Sequence, residues 1–452
     1  MAADQSAAQI LAGALSAAGV GAIYGRPLSN LPFISVGDAT VAVLLAHAHH
    51  SVVGTIAVAH VGEGVFVVPG ASPGGGPSPD LPSERVDIDD VADLGGLVPK
   101  LAGAATGRGV RLHIEIDLAS RVPEGSRALV PAGPGGVEGA EHDLLELAEA
   151  AGDAALTVVL AGPGVVARDA VGGLRALAAA GRLGVLNTWG AKGVFPWQSR
   201  HHWATVGLQE RDFELGGLPR CDLVLVTGLD EREAPRRLWA SFPHKVVAPE
   251  LLGPLAELWP WPKDGAFAPM PALRERLAAV TQAGWGMTTV PLMPTLVTRH
   301  YALVFGNGGL VASDPGTAGY WIARTFTTTR LGSASVPAAP LRGWAAACVL
   351  VSRLMAPLRP ALAVLDGPVD ESTKAVLAEA ARLGVGLGIE TWQDDGEALA
   401  PDEHLARLQQ LAGPDTKVAT LRTDHRQLDD MVEAAGPVRA WTGDEGRVTH
   451  LE

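Results

Sequence analysis

Short apolar runs alternate with stretches of helical periodicity along the chain, and this alternation is typical of parallel α/β units. In the first segment, which extends to about residue 135, the pattern predicts helices over 5–18, 38–50 and 89–106 and strands over 22–25, 54–59, 64–68 and 111–118. The composition of residues 69–84 predicts a loop, and PAGPGG at 131–136 predicts a linker.

The same alternation continues beyond the linker. The second segment is predicted to contain helices over 141–151, 168–180 and 272–283 and strands over 157–161, 184–187, 222–227 and 245–248. After the Pro- and Trp-rich run at 258–272, a third segment begins near 295, with strands over 310–312, 361–365 and 385–390 and helices over 317–327, 341–355 and 371–383. We therefore predict an α/β fold of three doubly wound parallel-sheet domains, over 1–135, 140–290 and 295–452.

Composition narrows the class of protein. The chain has 452 residues, of which 47% are hydrophobic and 19% charged, as in globular proteins. Its net charge of −14 argues against a nucleic-acid partner, because phosphate binding requires clustered Lys and Arg. The two cysteines match no metal or disulfide spacing, the first residues lack a basic leader, and the apolar stretches are too short to span a membrane. We expect a cytoplasmic protein with no membrane partner.

Acidic and amide side chains follow two predicted neighbouring strands of the third segment. Asp366-Gly367 ends one strand, and Gln393 and Asp394 follow the next. Since ligands of open parallel sheets bind outside the carboxyl ends of the strands, these oxygens can hold Mg²⁺, with a diphosphate beside Gly367. The structural alternative is that Asp-Gly is a turn and the later acids belong to a solvated loop.

Three further constellations have a structural alternative as well. Asp314 follows a predicted strand and lies before Pro315-Gly316, so it is placed to bind a ligand, but its carboxylate can also serve as a cap of the following helix. The turn Gly162-Pro163-Gly164 lies between a strand and a helix, but it lacks the full glycine pattern of a dinucleotide loop, which favours a tight turn. His47 and His50 share a helix face and could form a metal pair, but no Cys or Glu at ligand spacing accompanies the cluster that they form with His49 and His60. For the same reason His201 and His202 are interpreted as loop or helix surface.

The second segment carries the most specific resemblance. A strand ending in a glycine turn, a helix, the run KGVFP at 192–196 and the strand DLVLVTG at 222–228 occur in the order and spacing of the central domain of acetolactate synthase-type enzymes. The flanks agree, since ALSAAGVGAIYGRP at 14–27 and GVRLHIEIDL at 109–118 resemble the pyrimidine-binding domain of that family. Asp314-Pro315-Gly316 and ALAVLDG at 361–367 resemble its diphosphate-binding domain. The chain thus resembles thiamine-diphosphate-dependent enzymes over most of its length.

The resemblance implies a division of labour among the domains. It implies the thiamine-diphosphate-binding fold with a central domain, and a cofactor held between the first domain of one subunit and the third domain of another, so a homodimer or homotetramer is expected. It also implies decarboxylation of a 2-oxoacid and transfer of the resulting two-carbon unit, as in a lyase or carboligase, with an acid of the first domain activating the cofactor. In some relatives the central domain binds FAD, although no residue of this sequence selects for a flavin.

Matching the family residue by residue assigns the roles. Asp38 takes the place of the activating glutamate, while Glu63 has the right length but lies in a later turn. Asp366, Gln393 and Asp394 would hold Mg²⁺, and Asp314, Gly316 and Gly367 would bind the cofactor. The sequence departs from the family pattern at Leu365, which replaces a glycine, at the downstream asparagine, and in the absence of a substrate-binding loop from the first domain.

Two function hypotheses follow. The first is a divergent thiamine-diphosphate- and Mg²⁺-dependent 2-oxoacid decarboxylase or carboligase. The alternative is a catalytically silent homologue that retains the fold as a small-molecule-binding or regulatory subunit. The loss of the glutamate, the substrate loop and the asparagine motivates the alternative.

Overall fold

The computed structural model describes residues 5–68, 84–90, 93–94, 97, 101, 109–122, 140–260 and 267–441. The predicted loop over 69–84, the helix near 89–106 and the linker at 131–136 lie wholly or largely outside these residues. Three α/β regions with three mostly parallel sheets make up the described chain, as the alternating pattern predicts. Within the described residues, no helix is both long and apolar enough to cross a membrane.

The first region contains the following helices and strands: β1 (Gln5–Ser6), α1 (Ala7–Ala17), β2 (Val20–Gly25), β3 (Phe33–Ser35), α2 (Ala39–Val53), β4 (Ile56–Gly62), β5 (Val65–Val68), β6 (Glu84–Ile88), β7 (Val110–Ile114) and β8 (Arg121–Val122). Its six-stranded sheet has the order β3-β2-β4-β5-β7-β6, and β1 pairs with β8 separately. Helix α1 begins at a capping box of Ser6 and Gln9.

One strand of the first sheet runs against the rest. β5 is antiparallel to both β4 and β7, whereas the α/β pattern predicts parallel strands. The reason is the connection: only Glu63 and Gly64 join β4 to β5, and a parallel pair needs a crossover of a dozen or more residues. Gly64 has φ +66°, which the tight turn requires.

The central region contains α3 (Ala140–Asp153), β9 (Thr157–Ala161), α4 (Gly164–Ala167), α5 (Val171–Gly181), β10 (Gly184–Thr188), β11 (His202–Val206), α6 (Asp212–Leu215), β12 (Leu223–Thr227), β13 (His244–Val246), α7 (Leu252–Leu258) and α8 (Ala272–Trp285). All five strands are parallel, in the order β11-β10-β9-β12-β13. The order reverses between β9 and β12, as in doubly wound dinucleotide-binding folds.

The third region contains α9 (Pro294–Phe305), β14 (Leu310–Ser313), α10 (Thr317–Thr325), β15 (Ala334–Ser335), α11 (Trp344–Met355), β16 (Ala361–Asp366), α12 (Glu371–Arg382), β17 (Gly388–Trp392), α13 (Pro401–Leu411), β18 (Lys417–Leu421) and α14 (Gln427–Ala435). Its parallel sheet has the order β15-β14-β16-β17-β18, with the reversal between β14 and β16. β17 begins and ends later than the predicted strand over 385–390.

Hydrophobic packing joins the three regions within one chain. Helix α2 of the first region packs against α11 of the third, and both are rich in alanine, so their backbones approach closely. The central and third regions share one continuous core that includes Trp203 and Trp321. The first and third domains therefore meet inside a single chain, the pairing that the resemblance places between subunits.

Candidate functional site

The switch point of the third sheet brings together two of the predicted carboxylates. Asp314 follows β14 and Asp366 ends β16, and these neighbouring strands form the crevice at which doubly wound sheets bind ligands. The predicted cofactor residues Gly316 and Gly367 directly follow the same two strands. The structure therefore brings these four predicted residues to one edge of the third sheet.

The Asp314 carboxylate binds the start of α11. It accepts hydrogen bonds from the backbone N–H groups of Gly343, at 2.9 Å, and Ala345, at 2.7 Å. Burial raises the pKa of Asp314 to about 7, and these two donors oppose the rise because they favour the ionised form. The capping role considered from the sequence applies to a different helix, since α10 directly follows Asp314 and α11 begins about 30 residues downstream.

The Asp366 carboxylate binds the start of α10. Its Oδ2 accepts a hydrogen bond from the backbone N–H of Thr317, at 2.7 Å. Gly316, with φ +136°, permits this approach, because a Cβ at that position would collide with the Asp366 side chain. A carboxylate at a helix N-terminus interacts favourably with the exposed N–H groups and the helix dipole.

A third carboxylate occupies the start of α12. Asp370 accepts a hydrogen bond from the Thr373 N–H at 2.8 Å. Gly367 has φ +85°, donates its N–H to the Trp392 carbonyl at 2.9 Å and has open space beside it. The starts of α10, α11 and α12 therefore each hold a carboxylate of the chain itself.

The two remaining predicted metal ligands lie in the turn after β17. Gln393 donates its side-chain N–H to the Thr391 hydroxyl at 2.6 Å, and Asp394 is exposed to solvent. In the part of the chain that the structure describes, no three His, Cys, Asp or Glu side chains are arranged to hold a metal ion. The residues at this edge do not fit a Mg²⁺–diphosphate group, since its phosphate oxygens would compete with carboxylates for the same N–H donors.

Asp38, predicted as the activating acid, caps α2. Its Oδ1 accepts hydrogen bonds from the N–H groups of Thr40, at 2.7 Å, and Val41, at 3.0 Å, and the residue is exposed. Glu63 is exposed in the β4–β5 turn. Neither acid is buried, so neither lies in an enclosed site.

The glycine turn after β9 packs against the backbone that follows β12, and no crevice opens between them. A Cβ at Gly164 would lie 2.7 Å from the Cα of Gly228, which follows β12, and the Gly164 N–H donates to the Gly228 carbonyl at 2.8 Å. These glycines allow two backbone segments to contact at the switch point of the central sheet. The geometry agrees with the tight turn inferred from the sequence.

The histidines differ in their burial and in their local contacts. His49 Nδ1 is 2.8 Å from the Tyr24 hydroxyl, and its Nε2 is 3.0 Å from the Thr55 hydroxyl. His47 is buried, and burial lowers its pKa to about 4. His202 begins β11 and is 3% exposed, so its interpretation as a surface residue was wrong. The sequence did not predict the buried strand β11 because its five residues include both polar and apolar side chains and form no continuous hydrophobic run.

A pocket of about 280 Å³ lies where the three regions meet. The central region contributes side chains that follow β9, β10 and β12, the first contributes the last turn of α2, and the third contributes residues 331–338 and Trp344. The pocket thus lies outside the carboxyl ends of the central strands, where α/β proteins bind ligands. The sequence did not reveal it, because its walls come from distant segments.

Four ionisable residues line this pocket: His47 and His50 of α2, and Lys192 and Glu233 of the central region. Glu233 is 2% exposed and accepts a hydrogen bond from the Gly190 N–H at 3.1 Å, and burial raises its pKa to about 8. Lys192 is 4% exposed, and burial, with a smaller contribution from Arg324, lowers its pKa to about 7. Within the described residues, the Lys192 ammonium has no hydrogen-bond partner and lies 5.2 Å from the centre of the Trp197 ring.

Comparison of the sequence with models of known protein families found no match. Comparison with curated proteins found no match either.

Proposed function

We propose that this chain is a catalytically silent homologue of the thiamine-diphosphate-dependent enzymes, in which the three-domain fold is retained as a small-molecule-binding or regulatory subunit. The observation that carries the proposal is the hydrogen bond between the Asp366 carboxylate and the Thr317 N–H. It places a fixed negative charge at the helix end that an anionic cofactor needs.

The neighbouring carboxylates support the same proposal. Asp314 and Asp370 bind the starts of α11 and α12, so displacing them would leave buried or partly buried acids without these donors. The repulsion between a diphosphate and these groups would have to be offset by a metal ion. The metal ligands predicted beside them, Gln393 and Asp394, form part of a polar turn.

The first domain also supports a silent homologue. Asp38 caps α2 at an exposed position, and its carboxylate is bound to the N–H groups of Thr40 and Val41. The connection between β4 and β5 consists of two residues, which is too short to form a substrate-binding loop.

Calorimetry of the full chain with thiamine diphosphate and Mg²⁺ tests the proposal. We expect no saturable heat at millimolar cofactor and no release of carbon dioxide from pyruvate. Saturable binding that Asp366→Asn abolishes and Asp395→Asn leaves unchanged would overturn it, as would pyruvate turnover that Asp38→Ala abolishes. The comparison with Asp395, an exposed acid of the same turn as Gln393, separates a specific ligand from general charge.

A further inference from the structure

The pocket between the three regions has walls fixed before any ligand arrives. The Trp344 indole donates its Nε1–H to the Ser335 hydroxyl at 3.2 Å, and that hydroxyl is 2.9 Å from the hydroxyl of Ser51 in the first region. The Trp189 ring packs at 5.2 Å, between centroids, against Trp441. Two aromatic rings are therefore held in place by contacts behind the pocket surface, and little conformational entropy remains to be lost on binding.

The remaining walls are mainly apolar. Val166 and Ala167 come from the central region, Val53 from the end of α2, and Val336 and Ala338 from the third region. Pockets with apolar and aromatic walls and a few polar groups are typical of small-molecule sites, and 280 Å³ lies near the lower end of their size range. These walls select a compact, flat, apolar molecule.

Four ionisable side chains line the pocket, and burial favours the neutral form of each: His47, His50, Lys192 and Glu233. Burial favours the neutral acid of Glu233 and opposes the ammonium form of Lys192. The Lys192 nitrogen is shielded from solvent and lies 5.2 Å from the centre of the Trp197 ring. A charged ligand would lose its hydration here, and burial disfavours a charged partner among these four side chains.

We propose that this pocket binds an uncharged, planar, mainly apolar molecule of about two fused rings, with one polar atom directed to the Glu233 carboxyl group. The ligand would contact Trp189 and Trp344 and bridge the three regions. This site shares no residue with the crevice between Asp314 and Asp366, so it goes beyond the proposed silent role and stands or fails separately from cofactor binding.

The test is calorimetric titration of the full chain at pH 7 with 2-naphthol, which is neutral, and with 2-naphthoate, the anion on the same ring system. We expect saturable 1:1 binding of 2-naphthol and affinity for 2-naphthoate at least about tenfold weaker. Ala167→Phe and Val53→Phe fill the pocket from two different regions, and each should weaken 2-naphthol binding at least about tenfold. Ala176→Phe, on the exposed face of α5, should leave it unchanged.

Circular dichroism and thermal melting of each variant establish that it retains the native fold. The proposal is overturned if neither probe binds saturably, if 2-naphthoate binds as tightly as 2-naphthol, or if both natively folded filling variants bind 2-naphthol like the parent chain. Binding of 2-naphthol with no response to thiamine diphosphate would leave the silent role and the pocket both standing, whereas binding of both compounds would overturn only the silent role.

Discussion

The Asp212 carboxylate of the central region forms an ion pair with the Arg324 guanidinium of the third region at 2.8 Å, and both side chains are fully excluded from solvent. Asp212 also accepts hydrogen bonds from the N–H groups of Leu208, at 2.8 Å, and Gln209, at 3.0 Å. Arg324 donates a further hydrogen bond to the Thr205 carbonyl at 2.8 Å. With both charges satisfied by several partners, this pair fixes α10 against the β11–α6 connection and joins the two regions.

Replacing Arg324 with Met should lower the free energy of unfolding by about 3–5 kcal/mol, because Asp212 would remain buried without its counter-ion. Arg211→Met is the matched control, since its ion pair with Glu214 is exposed and should contribute less than about 1 kcal/mol. Urea unfolding of both variants measures the difference. Equal losses in the two variants would show that the buried pair does not hold the regions together.

Asp366→Ala should destabilise the fold by about 1–2 kcal/mol, because the Thr317 N–H at the start of α10 loses a charged acceptor. Asp395→Ala changes an exposed acid and should alter stability by less than about 0.5 kcal/mol. Denaturant unfolding at low salt compares the two. A destabilisation by Asp366→Ala no greater than that of the control would contradict a structural role for this carboxylate.

Glu233→Gln should change how stability depends on pH. In the parent chain the folded-state pKa of Glu233 is about 8, raised from 4.5, so the folded state holds this proton more tightly than the unfolded state. Its contribution is complete below about pH 4.5 and is lost as the pH rises to 8. Melting temperatures from pH 5 to 9 should therefore fall less in Glu233→Gln than in the parent chain. The exposed Glu257→Gln should follow the parent profile.

Lys192→Met should show the opposite dependence. The folded-state pKa of Lys192 is about 7, lowered from 10.5, so the unfolded state holds this proton more tightly. The lysine therefore contributes least below pH 7, and parent stability from this group rises between pH 7 and 10.5. Relative to the parent, Lys192→Met should gain most stability below pH 7, while the exposed Lys245→Met should gain none. A constant difference across the pH range would contradict the prediction.

Gly164→Ala should destabilise the central region by about 1–3 kcal/mol, because its Cβ would press on the backbone of Gly228 at 2.7 Å. Gly172→Ala lies in α5 with no atom within 4 Å of the added Cβ, and it should stabilise by about 0.5 kcal/mol through helix propensity. A lower melting temperature for Gly164→Ala and a higher one for Gly172→Ala would confirm that the turn after β9 is packed against the Gly228 backbone. An unchanged melting temperature for Gly164→Ala would show that these two segments are not in close contact.

Local pattern accounts for much of the fold. Apolar runs bounded by turns predicted β9, β12 and β16 nearly to their ends, because strands of buried parallel sheets are continuous hydrophobic segments. It missed β11 and β15, which are short or contain polar residues and become strands through pairing with β10 and β14. The antiparallel direction of β5 follows from the two-residue turn before it. Hydrophobic periodicity predicts the strand but not the direction in which it pairs.

The candidate pocket could not be predicted from local sequence patterns. Lys192 lies in the KGVFP motif, but Glu233 carries no local signal of burial, since its neighbours in DERE are also charged. Only the approach of Gly190 places its carboxyl group away from solvent. Contacts between residues far apart in the sequence leave no periodic pattern of hydrophobic positions, so they cannot be predicted from the sequence alone.

The switch point of the third sheet shows which features the sequence determined and which the tertiary structure determined. The sequence by itself determined that Asp314 and Asp366 end two strands beside glycines, because apolar strands and their turns are encoded locally. Its structural alternative to cofactor binding assigned Asp314 as a cap of the helix that follows it. The tertiary structure paired Asp366 with that helix and Asp314 with the start of α11, because β14 and β16 are adjacent in the sheet and each carboxylate accepts the nearest free N–H groups.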